Sequence, residues 1–491
     1  MAHIELVDET LRDGQQCVWG MRMTAGMALP VTPLLDRTGF SVIDLTAGAF
    51  FECLVKYCQE NPWEGMDLLV QSMPRTTLRG GTRANGAISF GVTPDALMDL
   101  WMRQLNRHGC KSFWIFDLLY SIDNMHRLAK IAKEFGSKVA GSLMFAQSPI
   151  HTDAYYADKA RRLVASPDID SLLLYDMPGA LDKERLQTLI PAIRAAGGGK
   201  PIEFHANNRL GQSAKAYLDA IDLGVTIFHT ASRPLANGPS VPSTEVMASN
   251  VELLGHTHNL DKRLFEPVAD HFERVGKTAG FLVNQHSEYD LEVLQNQFPG
   301  GMIGTLKAQL AQHGMSDALD SVFKESARVR KDLGYPGMAT PFSQIVGTLS
   351  VLNILTKERY SSIPDQAIQY AAGFYGEPAG PIDPDVLDRI MSAPRAKEVL
   401  DNPPPQPTIE ELRKQYATND DDELILRASL PEDSLARMRA AGPVKTNYPY
   451  FSSSDLDQVG RLIQVANTPV VQFEAAELEL KLRRFGQAPD S

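Results

Sequence analysis

The chain has 491 residues, 43% of them hydrophobic and 22% charged, which is ordinary for a soluble globular protein and gives room for one large or two medium domains. A formal net charge of -12 argues against a nucleic-acid-binding face, and no apolar run approaches the ~20 residues needed to span a bilayer. The four cysteines (Cys17, Cys53, Cys58, Cys110) form no disulfide framework or zinc knuckle, and the opening MAHIELVDET has no secretory pattern, so a reducing, cytoplasmic setting is expected.

From residue 3 to about 255, short β-rich runs alternate with amphipathic helical stretches. The strand candidates are IELVD (4–8), SVIDLTA (41–47), a weaker TTLRG (76–80), KSFWIFDLL (111–119), KVAGSLMFA (138–146), SLLLYDM (171–177), PIEFHA (201–206) and VTIFHTA (225–231). Between them lie helical patterns such as PDALMDLWMRQLNRHG, NMHRLAKIAKEFG, DAYYADKARRLVAS and KERLQTLIPAIRAAGG, several stopped by glycine after a basic residue. Strands apolar on both faces indicate a parallel sheet covered by helices, and about eight units close into a (β/α)8 TIM barrel. A doubly wound open sheet is the alternative, but no Gly-rich dinucleotide fingerprint follows the first strand.

The catalytic barrel is expected over residues 1–300 and a mainly helical C-terminal domain over 301–491. The second part reads as helices at GMIGTLKAQLAQHG, DALDSVFKESARVRKDLG, PFSQIVGTLSVLNILTKERY and PDQAIQYAAGFYG. A Pro-rich linker follows near 401–408. NDDDE (419–423) reads as a solvated loop, and FEAAELELKLRRFG near the end as an amphipathic helix.

Barrel enzymes place their working groups at the C-terminal ends of strands. Those ends carry Arg12 and Asp13, Arg79, Asp117, Gln147, Tyr175 and Asp176, His205 and Asn207, and His229. The first, in DETLRDGQQ (8–16), sets a carboxylate beside a guanidinium, a pairing able to hold a divalent metal and an anionic substrate side by side. The plainer account of an isolated Arg-Asp is a capping loop with a surface ion pair.

DETLRDGQQ, WGMRM (19–23), SPIHT (148–152), DMPG (176–179), the surroundings of His205, GYPGMATPFSQIVGTLSVLNILTKERY (334–360) and FYGEPAGPIDP (374–384) together resemble the biotin-dependent carboxyltransferase family. This family includes the transferase domain of pyruvate carboxylase, the oxaloacetate decarboxylase alpha subunit and the transcarboxylase large catalytic subunit. The resemblance implies a divalent metal (Zn, Mn, Mg or Co) at the barrel mouth, with Asp13, His205 and Asn207 as its donors. It implies that Arg12, Gln16 and Arg79 hold the substrate's carboxylate and carbonyl.

Relatives carry a carbamylated lysine where this chain has Tyr175, and His-x-His where it has His205-Ala206-Asn207. Residues i and i+2 of a strand share a face, so the second spacing survives, with an amide oxygen offered in place of imidazole. The relatives' proton-shuttling threonine is expected at or near Pro239, where only the neighbouring Ser240 has a hydroxyl. His229 stands where relatives usually have aspartate. Tyr175 and His229 are the expected catalytic side chains.

The leading functional reading is a carboxyltransferase or decarboxylase that acts on a small 2-oxo acid, or a related carboxylate, through a metal-stabilised enolate. A biotin-independent carbon–carbon lyase or aldolase, and a non-catalytic subunit of a carboxylase complex, are the alternatives. No biotinylation motif is found, so biotin is expected on a separate carrier protein, with a biotin carboxylase subunit as a further partner. The helical tail points to a homodimer or a larger assembly.

Overall fold

The computed structural model describes residues 1–88, 91–291, 293–294, 297, 310, 316–448, 470–475 and 478–483. Eight strands, β1 (Glu5–Asp8), β2 (Val42–Ala47), β3 (Thr77–Arg83), β4 (Ser112–Phe116), β5 (Lys138–Met144), β6 (Ser171–Asp176), β7 (Ile202–Ala206) and β8 (Ile227–Thr230), pair in parallel and in sequence order. β1 also pairs β8, with Val7 opposite His229 and Asp8 opposite Thr230, and the barrel closes. The expected barrel fold is therefore present.

All six residues of β6 and all five of β7 are buried. Such strands must send one set of side chains outward to the helices and the other into the barrel. On β7, Phe204 packs on Tyr217 of the helix Ser213–Asp222, while Glu203 and His205 belong to the opposite set. The alternation delivers charged groups to the barrel axis.

The C-terminal part is helical from Leu319–Asp332 and Phe342–Thr356 through to Glu432–Ala441. It does not stand apart from the barrel. Met338, Phe342 and Val346 share one hydrophobic cluster with Trp114, Met144, Leu173 and Tyr175 of β4, β5 and β6. Each large apolar side chain sealed in this way contributes about 1.5–3 kcal/mol. No helix among the described residues is long and apolar enough to cross a membrane.

Several local expectations are corrected. β3 runs on to Arg83, so Arg79 lies in mid-strand and not at a strand end. NDDDE is not a loop: Asp420 caps the helix Asp421–Ser429, accepting from Glu423 N–H, and the acids fill its first turn. Negative charge is favourable there because free N–H groups point out of the helix. The final stretch forms an antiparallel hairpin, β9 (Val470–Ala475) with β10 (Leu478–Arg483), and not a helix. Leu478, Leu480 and Leu482 alternate with Glu479, Lys481 and Arg483, a period of two that outweighs the helix-forming composition. The expected helix at 301–314 lies outside the described residues apart from Leu310.

The helix Asp421–Ser429 docks on the barrel through His108. Its ring stacks on Trp63 at 4.6 Å and bridges Asp67 (2.6 Å) and Asp422 (3.0 Å). Burial alone would lower the imidazole pKa, but the bonds to Asp422 and Asp67 outweigh it and raise it above the ordinary value. Stability from a raised histidine is fully present below its unfolded pKa and is lost as pH rises through the folded one. Asp422→Asn should therefore lower the thermal midpoint clearly at pH 6 and much less at pH 9. An equal loss at both, by circular dichroism melting, would show that His108 is not charged in the fold.

Candidate active site

Two layers of side chains fill the barrel around one guanidinium. The strand β1 ends at Asp8 and gives way to a π-helical turn, Thr10–Gly14, every residue of which is buried. This turn carries Arg12 and Asp13 inward. Arg12 Nη2 meets Glu9 Oε2 at 2.6 Å, Nη1 donates to Asp13 (3.3 Å) and to the Tyr175 hydroxyl (3.2 Å), and Nε donates to Asp44 (3.3 Å). Its planar face lies 4.9 Å from the centre of the Trp114 ring. Gly81 makes room for that indole, since a Cβ there would come within 2.3 Å of it.

Asp13 accepts hydrogen bonds on both of its oxygens. Its Oδ2 accepts from Asn207 Nδ2 (2.9 Å), Ser240 Oγ (2.9 Å) and the Val241 N–H (3.2 Å). Its Oδ1 faces His205 Nε2 at 3.6 Å, and that nitrogen is buried without a hydrogen-bond partner. The Tyr175 ring stacks on the His205 imidazole at 3.9 Å, and its hydroxyl donates to Asp13 Oδ1 at 3.4 Å.

Deeper in the barrel, His229 Nδ1 lies 2.6 Å from Glu9 Oε1 and 3.3 Å from His205 Nδ1, while its Nε2 lies 3.2 Å from Glu203. Glu203 also receives both terminal nitrogens of Arg79, at 2.6 and 3.3 Å, and the Ser171 hydroxyl at 2.5 Å. Arg79 Nε donates to Ser112.

Burial disfavours every charge here, so the charged states depend on partners. Burial would raise Asp13, but His205 and Arg12 bring it down to about 2. Glu9 is likewise held well below the carboxylate range, against its burial, by the charge of Arg12 and by the two histidines. Glu203 is lowered by Arg79 and His229 in the same way. Asp44 goes the other way: burial first and the Glu9 charge second push it up to about 8, so it is protonated at neutral pH. Burial opposes a charge on His205, yet Asp13 and Glu9 on either side raise its pKa. Three carboxylates (Glu9, Asp13, Glu203) then face Arg12 and Arg79. Tyr175, raised well above the ordinary phenol value by burial, stays protonated and serves as a donor.

The residues expected from sequence divide accordingly. Asp13, His205, Asn207, Tyr175, His229, Arg12 and Arg79 are drawn into one buried network. Gln16 is half-buried, and among the described residues no hydrogen bond ties its side chain to that network. Arg12 and Arg79 were expected to grip substrate, but carboxylates of the protein already fill their forks, because an unpaired guanidinium is costly in a barrel core. Asn207 directs its amide N–H at Asp13 and holds that carboxylate in place. His229 lies below the mouth layer, between Glu9 and Glu203.

Glu9, Asp44 and Glu203 were missed. The signals were an acid within DETLRDGQQ, an acid in the middle of the apolar run SVIDLTA, and an acid two residues before His205 in PIEFHA, hence on its face.

A divalent cation fits the donor set. The orphaned His205 Nε2 lies 3.6 Å from Asp13 Oδ1, and one candidate ligand atom each from Glu9, His205 and His229 lie within 4.8 Å of one another.

Residues 293–462 match the family model described as a conserved carboxylase domain. The chain is 30% identical over 485 residues to a pyruvate carboxylase subunit of Methanocaldococcus jannaschii, covering 98% of this chain and 84% of the relative. It is 27% identical over 451 residues to the methylmalonyl-CoA carboxyltransferase 5S subunit of Propionibacterium freudenreichii, covering 90% and 88%. Among solved structures it resembles the carboxyl transferase domain of Rhizobium etli pyruvate carboxylase with oxamate and biotin. That match has a TM-score of 0.80 at 20% identity and covers 89% of this chain and 78% of the other.

Removing one partner of a buried charge cluster typically costs about 3–5 kcal/mol, whereas one neutral hydrogen bond is worth about 1 kcal/mol. Arg12→Met should therefore lower the unfolding free energy by several kcal/mol, and Tyr175→Phe by about 1 kcal/mol. Urea titrations followed by circular dichroism check this; comparable losses in both variants would deny Arg12 its central place.

Proposed function

This chain belongs to the biotin-dependent carboxyltransferase family, and we propose that it transfers a carboxyl group between biotin on a separate carrier protein and a small 2-oxo acid. The observation that carries the reading is the unpartnered His205 Nε2 facing Asp13 Oδ1 inside the barrel. Asp13 and His205 would hold a divalent ion, which would supply Lewis-acid stabilisation of enolate-like charge on the substrate.

The protein's own residues prepare that task. Glu9 and His229 flank His205 Nδ1, at 3.5 and 3.3 Å, and orient the ring so that Nε2 points at Asp13. Asn207, Ser240 and the Val241 N–H occupy Asp13 Oδ2, while Oδ1 accepts from Arg12 and Tyr175 and faces His205 Nε2. Tyr175 takes the place of the relatives' lysine as a protonated phenol, able to donate a hydrogen bond but not to hold the ion. Arg12 sets the positions of Asp13 and Tyr175, and Arg79 fixes Glu203 beneath them. We retain Tyr175 and His229 as the candidate proton-handling side chains.

The four free cysteines support a cytoplasmic, reducing setting, and the relatives' standing as carboxylase subunits supports a biotin carrier and a biotin carboxylase as partners. A homodimer is the assembly we propose.

Metal analysis and oxaloacetate decarboxylation, with and without added divalent ions, test the reading together. The purified protein should retain about one ion per chain, and Asp13→Asn and His205→Ala should lose both the ion and turnover. Because a ligating imidazole must be neutral, uptake should strengthen as pH rises. Stoichiometric metal without turnover on any 2-oxo acid would favour the lyase alternative. No metal at all would favour the non-catalytic one.

A further inference from the structure

The barrel mouth carries a second basic group that neither the sequence pattern nor the network above assigns. An open cavity of about 890 Å³ is lined by Cys17, Arg209, Gly238, Pro239, His286 and the segment that follows His286. It adjoins the charged network directly. Cys17 Sγ lies 3.5 Å from Asp13 Oδ1, Pro239 precedes the Ser240 that donates to Asp13, and Arg209 follows Asn207 by two residues.

Arg209 is only half-buried as a residue, but its Nη1 is shut off from solvent and has no hydrogen-bond partner. Burial leaves the guanidinium pKa below its ordinary value, with Cys17 and Asp290 only partly offsetting it. The acids of the lining, Glu288 and Asp290, are exposed residues, so the inner end of the cavity is its basic end.

An unpaired guanidinium nitrogen beside a catalytic-type cluster is costly unless an anion joins it at some stage. Arg12 and Arg79 cannot play that part, since Glu9, Asp13, Asp44 and Glu203 occupy them. We propose that Arg209 is the residue that grips the carboxylate of the 2-oxo acid at the barrel mouth, by the paired N–H···O bonds that a guanidinium makes to carboxylates. The inference rests on the reading of this site as a 2-oxo acid carboxyltransferase and adds the residue that selects the acid. The grip holds the substrate's carboxylate on the cavity side and leaves its carbonyl to face the Asp13–His205 pair.

The test is binding of pyruvate and of methyl pyruvate to the metal-supplemented protein, measured by calorimetry, in wild type and in Arg209→Met and Arg209→Lys. A charge-assisted contact of this kind is worth about 10- to 100-fold in affinity. Wild type should prefer the acid over its methyl ester by that factor. Arg209→Met should lose the preference with little change toward the ester, and Arg209→Lys should recover part of it. Thermal melting establishes that each variant is folded; Arg209 is half-buried with its Nη1 unpaired, so neither variant should melt far from wild type. If wild type distinguishes acid from ester and Arg209→Met does so equally, the assignment of Arg209 is wrong and the carboxyltransferase reading stands. If wild type binds neither compound, both fall.

Discussion

The Arg12 guanidinium is the constraint on which the rest of the barrel interior depends. It touches Glu9 and Asp13 from its own turn, Asp44 from β2, Tyr175 from β6 and the face of Trp114 from β4. A cation so deeply buried is stable only if surrounded by charge and donors in fixed positions, so one side chain dictates what four parts of the barrel present. The unusual π-helical turn after β1 follows from the same need, because it sets Arg12 and Asp13, neighbours in sequence, both toward the axis.

The strands were legible because parallel barrel strands are apolar on both faces and are interrupted only where they turn polar at the mouth. The C-terminal hairpin and the Asp420-capped helix were misread for opposite reasons. At Leu478–Arg483 helix-forming composition hid a two-residue period, and at residues 419–423 a cluster of acids hid the commonest kind of helix start. Of the site, the ring of residue types was legible and their partners were not. Sequence spacing shows that Glu203 and His205 share a face, but only the closed barrel shows that Glu203 reaches Arg79 on β3 and that Glu9 reaches His229 on β8. Hence Arg79 read as a substrate clamp when its fork was already filled.

The residues expected to depart from the family pattern support one another. Tyr175 stacks on His205 and bonds to both Arg12 and Asp13. Asn207 is a donor that holds Asp13 in place. The protonation of Asp44, driven by burial and by Glu9, keeps the excess of acids from becoming an excess of charge. Together these contacts fix Asp13 from both of its oxygens.

The closed pairing of β1 with β8 also bears on how the chain reaches its fold. Glu9, just after the first strand, depends on His205 and on His229, the latter 220 residues away in the chain, and Arg79 depends on Glu203. A half-barrel would hold these ions in an apolar interior with part of their complement missing, so intermediates that seal early are penalised. Charge at the axis therefore works as an assembly check, favouring late, concerted closure of all eight strands over stable partial barrels.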